Sequence, residues 1–294
     1  GLGLGAPFGL KTSYDSQWVG AAQSTSFEVK TYNLNPSIAY RVNDTVSLGA
    51  GLNWQRVEAT YKRLTAVSAA GVASPLKLTL DDDSWGWNVG ALFNVTPQTK
   101  VGLSYRSKVR YSTKGDIVIT GPLATNSSDA KASITLPDIA TLSATHKLTD
   151  RVELLGDISW TGWSSIPKVD IVRASATLNG FFPAGSIAQV LDTDFRDTWR
   201  VALGANYKLN NEWLLKGGIA YDQTPVKGAS TRLVSLPDND RTWFSIGAQW
   251  KQSQNVTLDV GATYLYVSDT KIDNDQAAAG RGRLRAAAER AGAA

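Results

Sequence analysis

Few side chains in this sequence suit acid–base or covalent chemistry. The 294 residues include one histidine and no cysteine. That histidine, His146, lies beside a Thr149-Asp150 turn. A hydrolase relay needs histidine near a substrate entrance with an orienting partner, so His146 reads as a turn residue. Nothing resembles a metal cluster or a phosphate-binding loop, and no metal, cofactor or enzymatic activity is expected. Binding chemistry remains. Leu64–Leu80 is apolar, with Leu64, Val67, Val72, Leu76 and Leu78. The later stretch Asp170–Asp194 adds Leu178, Phe181, Phe182 and Ile187. Apolar surface exposed on a connection usually marks a binding site; the alternative is a small loop core that caps the fold. Charges form the second set: Arg106, Lys108, Arg110, Asp157, Arg196, Arg200, Asp222 and Arg241 fall on one phase of alternating segments. Most are expected to brace one another. Arg110, Arg196, Arg200 and Arg241 lie toward the long connections, where they could steer an anion.

The elements that position these residues read as strands. In Asp83–Tyr111, Trp85, Trp87, Val89, Ala91 and Phe93 alternate with Ser84, Gly86, Asn88, Gly90 and Leu92. After a Thr96-Pro97-Gln98 turn, Val101, Leu103, Tyr105, Val109 and Tyr111 alternate with Gly102, Ser104, Arg106, Lys108 and Arg110. Period-two alternation gives each strand one apolar face and one small or charged face. The charged face excludes a dry core on its side, and the apolar face ends in aromatics, as on lipid-facing barrel strands. The pattern recurs near residues 27–42, 46–63, 152–161, 199–207, 213–221, 244–250 and 256–266, with a weaker strand at 131–147 broken by Pro137.

Connections alternate between short, near Asp44, Pro97, Thr149, Asn210 and Ser253, and long. Short periplasmic turns and long extracellular loops are the mark of a membrane meander. About five outward residues per strand match the ~9–11 residues that cross a bilayer. A soluble sandwich would turn its apolar faces inward, and a propeller would repeat every ~40–45 residues with four strands per blade. The expected fold is all-β: an incomplete antiparallel meander transmembrane β-barrel of about eleven strands. Residues 1–273 form this partial barrel. Residues 274–294 are Ala- and Arg-rich, lack alternation and favour helix. Gly1 falls inside a strand-like run without a leader, so more sequence is expected before it. A formal charge of +4 is too small to argue for nucleic acid.

Several words are more specific. GLGLGAPFGL at Gly1–Leu10, NLNPSIAYRVND at Asn33–Asp44, LGAGLNWQ at Leu48–Gln55, WTGWSS at Trp160–Ser165, DTWRVALGANY at Asp197–Tyr207, AYDQTPV at Ala220–Val226 and LPDNDRTWFSIGA at Leu236–Ala248 occur in order. Together they resemble the FadL-like long-chain fatty acid transporters of Gram-negative outer membranes, up to about Asp273. The resemblance implies a fourteen-stranded barrel with an N-terminal hatch, of which the hatch, two strands and the last strand are not in this sequence. It implies a monomer in outer-membrane lipid that captures long-chain fatty acids, or aromatic hydrocarbons, in apolar extracellular loops. A general porin is the alternative outside the family. It also implies a cation for the carboxylate. Arg63 keeps the inward phase of Ser47, Gly49, Gly51, Asn53 and Gln55, and falls where the family carries such an arginine. The family's second basic residue does not carry over, because that region reads Leu191-Asp192-Thr193-Asp194; Arg196 is the substitute nearest to it. Pro7 and Gly9 fall where the family kinks a strand for lateral exit into the bilayer, and proline removes a ladder bond.

Overall fold

The computed structural model describes residues 1–16, 18–65, 73–121, 125–178 and 180–274. Val67 and Val72 of the apolar stretch and residues 275–294 of the tail lie outside the described residues. Sixteen β-segments are found among the described residues. In chain order they are β1 (Leu2–Gly5), β2 (Gly9–Ser13), β3 (Ser26–Arg41), β4 (Val46–Thr65), β5 (Ser74–Asn94), β6 (Thr99–Arg106), β7 (Val109–Ile119) and β8 (Asn126–Leu136). There follow β9 (Ile139–Lys147), β10 (Val152–Thr161), β11 (Val169–Arg173), β12 (Ile187–Leu191), β13 (Thr198–Lys208), β14 (Trp213–Asp222), β15 (Arg241–Lys251) and β16 (Thr257–Val267).

Every pairing is antiparallel and joins neighbours along the chain. Five strands are each interrupted once, as β1/β2, β6/β7, β8/β9, β10/β11 and β12/β13, so the sixteen segments amount to eleven strands in meander order. Among the described residues the sheet is open: β1/β2 pairs only with β3, and β16 only with β15. Short turns fall at residues 42–45, 95–98, 148–151, 209–212 and 252–256. The expected meander, strand number and turn polarity are therefore present.

Two halves differ across the sheet. Near the short turns, outward faces are apolar and exposed, as in Trp199, Val201, Leu203 and Tyr207 of β13, while Arg200, Ala202, Gly204 and Asn206 face inward. At the far half the inward face is apolar and packed. Phe27, Val57, Tyr61, Leu76, Leu78, Leu80, Val109, Tyr111, Ile117 and Ile171 form one buried cluster there. The sequence pattern assigns residues 64–82, 112–130 and 170–194 of this half to connections, because the strands legible in it end near residues 63, 111 and 161. Most of those residues extend the strands instead: Leu76, Leu78 and Leu80 alternate with Lys77, Thr79 and Asp81, and pair with both β4 and β7.

A coupled interruption separates the halves. β5 opposes Asn88 to Arg106 and Asp81 to Lys114, so seven steps on β5 face eight on β6/β7. The extra residue is a bulge at Ser107–Lys108, and it reverses the phase beyond it. The neighbouring strand breaks at the same level, at Pro137–Asp138, where proline has no N–H for the ladder. The Ser107 hydroxyl accepts the Trp87 backbone N–H at 2.9 Å. Gly86 leaves room for it, since a Cβ there would lie 3.0 Å from Ser107 Oγ and 2.9 Å from Val109 Cγ2.

Candidate substrate-capture site

Arg63 sits near the end of β4, paired with Leu76 of β5. It shares the inward face with Val57 and Tyr61, directly above the buried apolar cluster. Its Nη1 donates to the Ala22 carbonyl at 3.4 Å, so the loop between β2 and β3 crosses beside it. The Tyr61 hydroxyl donates to the neighbouring Gln23 carbonyl. No carboxylate pairs with Arg63 among the described residues.

The apolar candidates divide. Leu64 alternates with Arg63 and therefore lies on the opposite face of β4. Leu76 and Leu78 are buried beneath Arg63 as strand residues, which corrects their placement in an exposed loop. The other apolar loop is exposed as expected: Phe181 is 75% accessible, and Phe182 and Ile187 are also open. The two phenylalanine rings meet edge to face, 4.8 Å between centres.

Most inward charges are neutralised. Arg200 Nη1 meets Asp157 Oδ1 at 2.8 Å. Arg241 Nη1 meets Asp222 Oδ2 at 3.2 Å, and its Nη2 meets Asp238. Arg106 Nη2 donates to Asn33 Oδ1 at 2.7 Å and Asn53 Oδ1 at 2.8 Å. Arg196 is exposed and donates through Nε to the Thr224 carbonyl at 3.2 Å. Arg110 is a correction. The bulge at Ser107–Lys108 turns it outward and exposed, and turns Val109 and Tyr111, expected outward, into the core at 2% accessibility each.

Pro7 lies inside a real interruption, and Gly9 closes it. Gly5 pairs with Asn33 and Gly9 with Lys30, so one extra residue is accommodated on the β1/β2 side. The Thr31 hydroxyl fills the gap, accepting the Phe8 N–H at 3.0 Å and donating to the Phe8 carbonyl. His146 pairs its Nδ1 with Thr99 Oγ1 at 2.9 Å beside a short turn, far from these elements.

Sequence reasoning passed over Arg173. It closes β11, whose Val169, Ile171 and Arg173 face inward in alternation with Asp170 and Val172. That alternation was the available signal, hidden because the segment looked like a connection. β11 lies beyond the Trp163–Ser165 3-10 turn that ends the bilayer-crossing β10. Arg173 is 7% accessible. Its Nη1 donates to Ser186 Oγ at 3.4 Å and to the Ile187 carbonyl at 3.3 Å. Its buried Nε has no hydrogen-bond partner among the described residues. Burial, and then the positive charge of Arg63, push the Arg173 guanidinium below its ordinary value.

A family profile described as outer membrane protein transport protein (OMPP1/FadL/TodX) matches residues 1–293. The chain belongs to this family. Outer membrane protein P1 of Haemophilus influenzae is 32% identical over 301 residues, covering 90% of this chain and 62% of that protein. The long-chain fatty acid transport protein of Escherichia coli K12 is 26% identical over 314 residues, covering 93% of this chain and 68% of that protein. The crystal structure of a Pseudomonas aeruginosa FadL homologue superposes with a TM-score of 0.80 at 25% identity, covering 91% of this chain and 66% of that one. The Ralstonia pickettii toluene transporter TbuX shares the fold, with a TM-score of 0.66 at 19% identity, 89% of this chain and 71% of that one. This FadL-family chain thus spans about two thirds of the length of these relatives. Its fold is that of an outer-membrane β-barrel family of Gram-negative bacteria.

Proposed function

We propose that the channel built from this FadL-family chain captures long-chain fatty acids at its extracellular face and passes them inward, with Arg63 meeting the carboxylate. The observation that carries this reading is Arg63 itself: an inward cation without a carboxylate partner among the described residues, set on a buried apolar layer. An amphiphile with an anionic head and an apolar tail complements that arrangement. The exposed Phe181, Phe182 and Ile187 offer the first apolar surface to the tail. A neutral aromatic hydrocarbon gains only a weak cation–π contact from an arginine, and a general porin gains nothing from exposed phenylalanines. The interrupted ladder at Ala6–Phe8, with Pro7 inside it and Gly9 at its edge, supports a lateral exit toward the bilayer, because backbone pairing is already suspended there. The protein is read as acting as a monomer in outer-membrane lipid.

Titration of the purified full-length protein in detergent tests this. A long-chain fatty acid is expected to bind more tightly than toluene. Tight toluene binding without acid binding overturns it in favour of hydrocarbon import. Size-limited sugar permeation with no binding of either overturns it in favour of a porin.

A further inference from the structure

Arg110, which the bulge turns outward, stands at a defined height on the outside of the wall. Trp54 of β4 opposes Trp85 of β5 on the outward face, and Trp85 is 62% accessible. β5 opposes Asp81 to Lys114 of β7, and the same register continued puts Arg110 beside Trp85. Outward tryptophans mark the edge of the bilayer-facing band. Arg110 therefore lies at headgroup level, on the side away from the short turns.

Two more cations stand above it. Lys114 is four residues farther along β7, about 13 Å by strand rise, and it directly opposes Lys131 of β8. Both lysines are exposed on the face that also carries Arg110, Ser112 and Ser133. Like charges directly opposite each other in a sheet are destabilising, and the carboxylates of the wall do not relieve these. Asp81, across from Lys114, is held by Arg56 at 2.7 Å. Asp83 accepts the Trp54 Nε1–H at 3.4 Å. Asp116 and Asp129 oppose each other one row higher, a like-charged pair of the other sign. Among the described residues no salt bridge joins Arg110, Lys114 or Lys131 to a carboxylate.

The place of this patch says what anion fits it. It is continuous with the lipid-facing band, so a molecule whose acyl chains lie against that band brings its headgroup to Arg110. Basic residues just outside a membrane span attract anionic lipid headgroups, and phosphate oxygens accept charge-assisted bonds from arginine and lysine. Two levels of positive charge suit a headgroup with more than one phosphate. We propose that the outer face of β7 and β8 docks the phosphorylated headgroup of an outer-leaflet lipid, with Arg110 at its base and Lys114 and Lys131 above. The site lies outside the wall and is independent of the fatty-acid reading.

The test places the full-length protein in phosphatidylcholine nanodiscs and titrates in lipid A, either with both phosphates or stripped of them. Bound lipid is counted by native mass spectrometry. The unaltered protein is expected to prefer the phosphorylated form. That preference should fall about fivefold for each cation removed in Arg110→Ser, Lys114→Ser and Lys131→Ser, singly and together. Lys62→Ser/Lys77→Ser serves as the control. These lysines are also opposed and outward on β4 and β5, but they stand eight residues beyond the tryptophan row, roughly 26 Å along the strand. This variant should keep the preference. Equal binding of the two lipids by the unaltered protein overturns the inference, as does an unchanged preference in the triple variant. An equal loss in the Lys62/Lys77 control shows diffuse charge attraction and overturns the site. Inorganic phosphate that displaces the lipid at equal concentration shows a plain ion site, and overturns the lipid assignment. Should the triple variant fail to fold, Lys131→Ser alone decides: a fall of about fivefold supports the inference and no fall overturns it.

Discussion

Arg200 and Asp157 face each other across adjacent strands, Nη1 to Oδ1 at 2.8 Å, on the inward side of the sheet. Arg63, on the same side and farther from the short turns, has a backbone carbonyl at 3.4 Å and no carboxylate among the described residues. The contrast divides the interior by task. Arg200 and Arg241 are consumed by bracing, whereas Arg63, above the apolar layer, has no carboxylate among the described residues. The Arg200–Asp157 pair is partly open to solvent, so screening limits its worth to about 1 kcal/mol or less. Asp157→Asn is therefore expected to shift stability by no more than about that amount and to leave fatty-acid affinity unchanged. Denaturant titration and ligand titration on one preparation check both halves of the statement.

Strand phase predicts opposite outcomes at neighbouring positions. Leu103 faces outward and Ser104 inward. Leu103→Arg is expected to cost roughly 2–4 kcal/mol near the bilayer midplane. Ser104→Arg puts its charge in the lumen, where it should alter conductance more than stability. Equal destabilisation at both sites, measured by unfolding in lipid, would contradict the assigned phase.

The bulge makes a second pair of predictions. Arg106 is inward and holds two asparagine oxygens, while Arg110 is outward and exposed. Arg106→Ala should cost about 1.5–3 kcal/mol, and Arg110→Ala should stay within about 0.5 kcal/mol. Ser107→Ala should cost about 1–3 kcal/mol by stranding the Trp87 N–H, and Ser107→Thr should restore most of it. The reverse order for the two arginines would show that the phase does not switch at Ser107.

These residues also show where sequence was sufficient. Strand positions in β10, β13, β14, β15 and β16 were legible because apolar and polar residues alternate without interruption, and the Asn210 and Ser253 turns are short. Val109, Tyr111 and Arg110 were misplaced because a bulge is a property of two strands at once. The alternation of Arg106, Lys108 and Arg110 gives no hint that the register against β5 slips by one. Leu76 and Leu78 look like loop in the sequence because apolar density outweighs their period of two. Arg173 was lost for the same reason: β11 is five residues long and stands inside a stretch rich in turn residues. Arg63 was legible because an unbroken strand carries its phase from Ser47.

The interruption at Ala6–Phe8 can be tested apart from binding. Deleting Pro7 removes the extra residue and allows β1 and β2 to pair with β3 in one register. If the gap is an exit, uptake into vesicles should fall while fatty-acid affinity is retained. Unchanged uptake would mean the interruption only relieves the twist of the wall.

The central claim is that Arg63 reads a carboxylate, and the most direct measurement compares the full-length protein with Arg63→Ala, titrating a long-chain fatty acid and the alcohol of the same length in parallel. Loss of a charge-assisted hydrogen bond predicts acid affinity about ten- to a hundredfold weaker, with alcohol affinity nearly constant because its head group needs no cation. Equal weakening of both ligands, or of neither, would contradict the account.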